Sequence, residues 1–295
     1  MLIRSVPRRT RQILRKSEIA ARVGRSQKRK PPQATARLLG DATAAWHFER
    51  VGSPAAFPCP LSLCVNSNGF SYAGDGWDPF VALARDYLTG ATQSYETSVL
   101  ARYYETWQPR DAAEASLCFE FGEPPLGGRA SHLFALYPWL AESFEEFDTR
   151  VRHWVRRDNE EHGHDSSTIE DEGYKVHGPV SPAIGHLEYR RLTRVAASIA
   201  SNGFDRSSGD VFVVHITDGR RSRFIEQGGM HRMAAMAALG YESIPARLLG
   251  FFDVRNVELW PGVVLGRWSA SAARRYVQHL LDFDSLDWAE GASLA

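Results

Sequence analysis

Cysteine is scarce in this chain of 295 residues. Cys59, Cys64 and Cys118 are too few for a disulfide framework, and they fit a reducing compartment or the role of small apolar core residues. No apolar run approaches the ~20 residues that a membrane-spanning helix needs. The N-terminus lacks the apolar stretch of a secretory leader, so a cytoplasmic protein without a membrane span is expected. An excess of one charge is also missing. The 35 basic residues equal the 35 acidic ones, so no global field points to a partner. The chain contains no Gly-x-x-x-x-Gly-Lys-Ser/Thr loop and no Gly-x-Ser-x-Gly elbow, which argues against a Walker-type NTPase and a serine hydrolase. Asp282, Asp284 and Asp287 lack the spacing of a calcium loop. Cys59, Cys64, His162 and His164 do not form a spaced zinc motif, so no metal site is expected from them. No internal repeat is visible.

The 43% hydrophobic fraction is that of a globular protein. The balanced charge hides an asymmetry: residues 1–30 hold eleven Lys and Arg against the single acid Glu18. Residues 1–40 read as a disordered basic arm. The alternative is contact with nucleic acid or anionic lipid through residues 4–30.

Residues 41–160 read as a mainly helical region. Its first part, 41–75, looks irregular because Pro54, Pro58 and Pro60 interrupt any period. Asp78 followed by Pro79 starts a helix whose face is Phe80, Leu83, Ala84, Tyr87 and Leu88, and Gly90 closes it. A second helix is expected from about Tyr95 to Thr106 and a third over Phe144–Arg157. Tyr103, Tyr104 and Trp107 read as core aromatics. The polar stretch 158–173 reads as an exposed linker.

The C-terminal half has a clearer grammar. A helix over 187–202 turns Leu192, Val195, Ala196 and Ile199 inward, with Arg190, Arg191 and Arg194 largely away from that stripe. A β-branched strand, Val211–Ile216, is followed by the hairpin signal Asp218-Gly219 and a returning strand, Arg223–Gln227. Then come Gly228-Gly229, an Ala-rich helix over Met230–Leu239, a strand over Ala246–Phe252 and a helix over about 269–281. Residues 174–255 are expected to form one domain, and 256–295 a helical extension.

Chemistry concentrates at Gly228-Gly229-Met230-His231-Arg232. Glycines permit a sharp turn and close ligand approach. The helix that follows presents unpaired N–H groups and the positive end of its dipole. That is an anion site, to which Arg232 adds a bidentate fork and His231 a donor able to carry protons.

The run from Phe224 through Gly228-Gly229-Met230-His231-Arg232 to Ser243-Ile244-Pro245-Ala246-Arg247-Leu248 resembles the signature of the ParB/sulfiredoxin-like superfamily. Leu192–Phe204 resembles the family's preceding helix. The resemblance spans residues 175–252. It implies an α+β fold: a small mixed sheet with helices in the C-terminal half, packed with the mainly helical N-terminal region. Sulfiredoxins carry Gly-Gly-Cys-His-Arg with the Cys as catalytic thiol. Here Met230 stands in that position and has no ionisable proton, so sulfinic acid reduction is not expected. The family's His and Arg positions, here His231 and Arg232, hold nucleotide phosphates, so ATP, ADP or CTP, with Mg2+, is the implied ligand. Partitioning proteins of the family carry a helix-turn-helix behind this module, and no such reader is evident here. A further branch transfers a phosphoryl group to a small hydroxylated acceptor using a carboxylate base. His186-Leu187-Glu188 is the loose match, which makes Glu188 the candidate base and His231 its catalytic partner. His177 and Ser181 lie at the entry to the preceding helix, where the family's nucleotide sits. Glu226 could hold a metal, orient His231 or pair with an arginine. The alternative to an enzyme is a nucleotide-gated or nucleic-acid-binding module.

Overall fold

The computed structural model describes residues 36–117, 125–164 and 168–295. The basic arm through residue 35 and Cys118 lie outside the described residues. The described residues form a mixed α and β fold built on a six-stranded mixed sheet. Its strands are β1 (Arg37–Leu38), β2 (Ala55–Pro60), β3 (Cys64–Val65), β4 (Val211–Thr217), β5 (Ser222–Gly228) and β6 (Ser243–Asp253). The longer helices are α1 (Ala42–Arg50), α2 (Pro79–Thr89), α3 (Val99–Thr106), α4 (Phe144–Glu161), α5 (Pro182–Asn202), α6 (Met230–Ala238) and α7 (Ala270–Asp282). No helix of the described residues is long and apolar enough to cross a membrane.

The strand order is β1-β2-β6-β4-β5-β3. β4 and β5 form the antiparallel hairpin, with His215 opposite Phe224. Asp218 closes its turn by accepting from the N–H groups of Arg220 and Arg221. From β5 the chain crosses through α6 and returns as β6, parallel to β4. Strands from the N-terminal half complete the sheet at both edges. β2 runs antiparallel to β6, and β3 runs parallel to β5.

Alternation along the strands feeds two cores, as the two-residue period of a strand requires. Val211, Val213 and Phe224 join Ile244, Ala246 and Leu248 against α2, α3, α5 and α6. Val214, Ile216 and Ile225 pack with α4, α7 and the aromatic group Tyr137, Trp139, Trp260 and Trp268. Tyr103, Tyr104 and Trp107 are buried core residues, as expected from their types. Phe70 meets Trp77, Tyr103, Trp107 and Trp288 with ring centroids 4.8–6.0 Å apart.

Several helix boundaries follow their caps. Asp78 accepts from the Phe80 and Val81 N–H groups, and Gly90 takes a left-handed conformation at the far end of α2. Helix α3 starts at Val99, four residues later than the apolar pattern suggests, because Ser98 caps it through the Ala101 N–H.

Three expectations are corrected. Residues 41–75 are not irregular: they hold α1, β2 and β3. Prolines are tolerated in β2 because β1 covers only Ala55 and Ala56, leaving the rest of that side unpaired. Pro58 lies opposite Pro245, so two residues without an N–H face each other. The sheet therefore does not belong to residues 174–255 alone, since the mainly helical N-terminal region supplies β2 and β3 to it. Finally, residues 158–164 and 168–173 are not an irregular linker, although more than half of them are exposed. α4 continues to Glu161, Asn159 is buried, and Ile169–Glu172 forms a short helical segment. The helical period of Val151 and Val155 carries on to Asp158 and Asn159, and Asp158 is held inside by ion pairs with Lys175 and Arg191.

Candidate functional site

The turn between β5 and α6 needs one glycine more than the other. Gly229 is left-handed, with φ of 107°, and a Cβ there would sit 2.6 Å from Val211 Cγ1. Gly228 has no such constraint, and an added Cβ would meet Phe212 at an ordinary 3.4 Å. The chain thus enters α6 through a position only glycine fills without strain. Met230, the first residue of the helix, packs against the core on the side of α2 and α5.

His231 follows and meets Glu188 of α5. Its Nε2 donates to Glu188 Oε2 at 2.8 Å, and Glu188 is fully buried. The other carboxylate oxygen accepts from Arg191 Nη1 at 2.7 Å. Arg191 also donates to Asp158 at 2.7 and 3.1 Å, and Lys175 Nζ donates to Asp158 at 2.6 Å. The result is a chain of alternating charge: His231, Glu188, Arg191, Asp158, Lys175. Burial alone pushes the Glu188 carboxyl up, but Lys175, His231 and Arg191 outweigh it and hold Glu188 far below the usual carboxylate range. Burial likewise opposes ionisation of Asp158, and Lys175 with Arg191 overcomes it, bringing Asp158 to about 2. Burial pushes His231 down against the pull of Glu188. An ionised Glu188 only accepts, so Nε2 of His231 carries the proton. Beside Lys175 and Asp158 lies a cavity of about 10 Å³, room for one water at most.

Arg232 points back toward the loop that leads into β4. Its guanidinium donates to the carbonyls of Ser208 at 3.2 Å, of Gly209, and of Asp210 at 3.4 Å. Burial lowers its pKa, opposed by Asp210 and Glu226. The fork expected to be free for phosphate is engaged with backbone oxygen in this state.

The remaining candidates divide. Ser181 caps α5, accepting from the Ile184 N–H at 3.2 Å and donating to Glu172. His177 is buried among Trp107, Phe134 and Tyr174, with Nδ1 donating to the Gly178 carbonyl at 2.8 Å, and burial lowers its pKa to about 4. Their partners lie away from the turn, so the structure joins Glu188 to His231 but brings neither Ser181 nor His177 to them. His186, the neighbour in the loose motif, faces Glu96 at 3.0 Å instead.

Four residues escaped sequence reasoning. Arg191 is not on an outer face: its side chain is 15% exposed and reaches inward to Glu188. Asp158 and Lys175 sat in or beside the presumed linker. Asp78 was read only as a cap, yet it is buried, and burial pushes its carboxyl up to about 7. The only signal in the sequence was periodic: Asp158 lies seven residues after Val151, on the inward stripe of α4. Among the described residues, no group of at least 3 His, Cys, Asp or Glu is arranged to hold a metal ion. Comparison of the chain with protein-family models, curated proteins and solved structures found no match.

Proposed function

We propose that the protein binds the phosphate of a nucleotide at the N-terminus of α6 and transfers a phosphoryl group to a small hydroxylated acceptor. One observation carries this reading: the left-handed Gly229, the start of α6 and the His231–Glu188 pair converge on a single turn. Helix N-termini favour anions through unpaired N–H groups and the dipole. The succession of α5, the β4–β5 hairpin, α6 and a parallel β6 supports kinship with the ParB/sulfiredoxin-like superfamily, which shares the His-Arg turn.

The roles differ from the simplest assignment. Glu188, saturated by His231 and Arg191, is a weak base. It orients His231, fixes its tautomer and stabilises its protonated form, which leaves His231 as the group that moves protons or donates to phosphate. Arg232 would swing from the Gly209 carbonyl to reach a phosphate oxygen. Mg2+ would enter with ATP, ADP or CTP, held mainly by phosphate oxygens and water.

A second reading, a nucleotide-gated switch without turnover, draws on one fact. Every charge in the chain from His231 to Lys175 is paired, so ligand entry has to exchange one contact for another. Thermal shifts with ATP, ADP and CTP, each with and without Mg2+, test binding against His231→Ala and Arg232→Ala. Equal shifts in all three proteins would sink the phosphate assignment. ADP release that depends on an added hydroxyl acceptor decides for the enzyme, and ligand binding without release decides for the switch.

A further inference from the structure

Cys59 and Cys64 belong to strands that are far apart in the sheet. The strand order puts β6, β4 and β5 between β2 and β3, yet the two sulfur atoms are 3.4 Å apart. The sheet therefore curls until β2 and β3 meet at the two thiols. Phe57 of β2 marks the same closure, with its ring centroid 5.4 Å from that of Phe224 on β5. The connection is short. Leu61–Leu63 makes a single turn, and the Cys64 N–H donates to the Leu61 carbonyl as β3 begins. Turn and curvature together hold two thiols in contact inside the core, and both residues are fully buried.

The contact is poised for a bond. Cys64 Sγ donates to the Pro60 carbonyl at 3.3 Å, a weak interaction that is cheaply given up. The other polar contact of the pair is between the thiols themselves. A disulfide is about 2.05 Å long, so small side-chain rotations close the remaining gap. The backbone on each side is anchored: Cys59 pairs with Ile244 of β6, and Cys64 with Phe224 of β5. A covalent link here would brace β3 against β5, the strand that leads into the Gly228-Gly229 turn.

We propose that Cys59 and Cys64 form a redox site, which a low-molecular-weight disulfide such as glutathione disulfide converts to an intramolecular disulfide joining β2 to β3. One cysteine thiolate attacks a sulfur of the oxidant, forming a mixed disulfide and releasing one thiolate. The second cysteine, deprotonated in turn, attacks the protein sulfur of the mixed disulfide and releases the other thiolate. The two cysteine protons end on the two released thiols, so one disulfide is reduced for each one formed. Burial pushes the Cys59 thiol well up, with Cys64 adding to the effect. Exchange in the closed core is therefore slow and passes through openings of β2 and β3. Folding still favours the product, because it holds the second thiol beside the first. In a reducing compartment such a pair follows the thiol balance around it rather than serving as a permanent staple. The site is independent of the phosphate reading.

Glutathione is the probe. The full chain carrying Cys118→Ser is refolded in buffers of graded reduced-to-oxidised glutathione ratio, and a parallel series stays in urea. After an acid quench, free thiols are alkylated in denaturant and the protein is digested with trypsin. Residues 51–85 contain both cysteines and no internal Lys or Arg before Arg85, so one peptide reports the pair. The disulfide form carries no label. The equilibrium constant for its formation is expected to be at least about tenfold larger in the native series than in urea. By linkage the oxidised protein then melts at a higher temperature than the reduced one. Cys59→Ala and Cys64→Ala each remove the closed form. The wild-type chain, mapped in the same way, serves if Cys118→Ser does not fold. An equal or smaller constant in the native series overturns the inference and shows that the two cysteines are packing residues. A glutathione adduct as the native end product overturns it as well, and so does pairing of Cys118 with either cysteine in the wild-type chain.

Discussion

Glu188 and His231 are separated by 43 positions in the chain, yet the imidazole donates to the buried carboxylate at 2.8 Å. Helix α5 supplies the carboxylate and the first turn of α6 supplies the ring. The contact ties the turn between β5 and α6 to an ionic network that reaches α4 through Asp158. Perturbing the network therefore tests both stability and the site.

Glu188→Gln removes the anion between His231 and Arg191 and leaves the Arg191 charge with Asp158 alone. Unpairing a buried ion costs roughly 3–5 kcal/mol. Because Arg191 keeps its two bonds to Asp158, urea denaturation is expected to show a loss below that size. His231→Ala should cost less, because Glu188 keeps Arg191.

The same network dictates the acid response. Glu188 and Asp158 have folded-state pKa values below their unfolded ones. Their stabilisation is complete above the unfolded values near 4 and disappears as pH falls through the folded ones. For Asp158, brought to about 2, this amounts to about 2 kcal/mol. Asp158→Asn should flatten the stability profile between about pH 4 and pH 2. An unchanged slope would show that Asp158 does not carry it.

The two glycines of the turn should behave differently. Gly229→Ala meets both the left-handed backbone and Val211, so a loss above about 1–3 kcal/mol is expected. Gly228→Ala meets only an ordinary contact with Phe212 and should cost less than about 1 kcal/mol. Thermal melts of the pair decide it, and equal losses would refute the assignment.

Arg232 holds the loop of residues 208–210 through three carbonyls. Arg232→Lys keeps the charge but not the fork. Hydrogen exchange should therefore speed up in residues 206–210 in the Lys variant as well as in Arg232→Ala. Protection that survives in both would mean that the loop is fixed by Arg206, which reaches Asp210 and the Ala36 carbonyl at 2.8 Å each.

Cys59 and Cys64 are free and fully buried, with their sulfur atoms 3.4 Å apart. Burial pushes the Cys59 thiol well up, with Cys64 adding to the effect. Alkylation of both is expected only after unfolding, because the thiolate is the reactive form and the native core excludes reagent. Rapid native-state labelling of Cys59, read by mass spectrometry, would contradict the packing.

The sequence by itself determined the local pieces: the cap at Asp78, the Asp218 turn, the hairpin strands and the Gly-Gly entry to α6. These depend on neighbours a few residues apart, which is the range over which caps, turns and strand periods act. Only the tertiary structure decided which charges are buried. Asp158, Lys175 and Arg191 look like solvated residues in isolation, because polarity alone cannot reveal a partner 17 or 33 positions away. The prolines of β2 were misleading for a similar reason. Whether a missing N–H matters depends on the neighbouring strand, and β1 ends before Pro58. At the turn, the sequence pointed to His231 and Arg232. Folding decided that Glu188 holds His231 and that the Gly209 carbonyl holds Arg232.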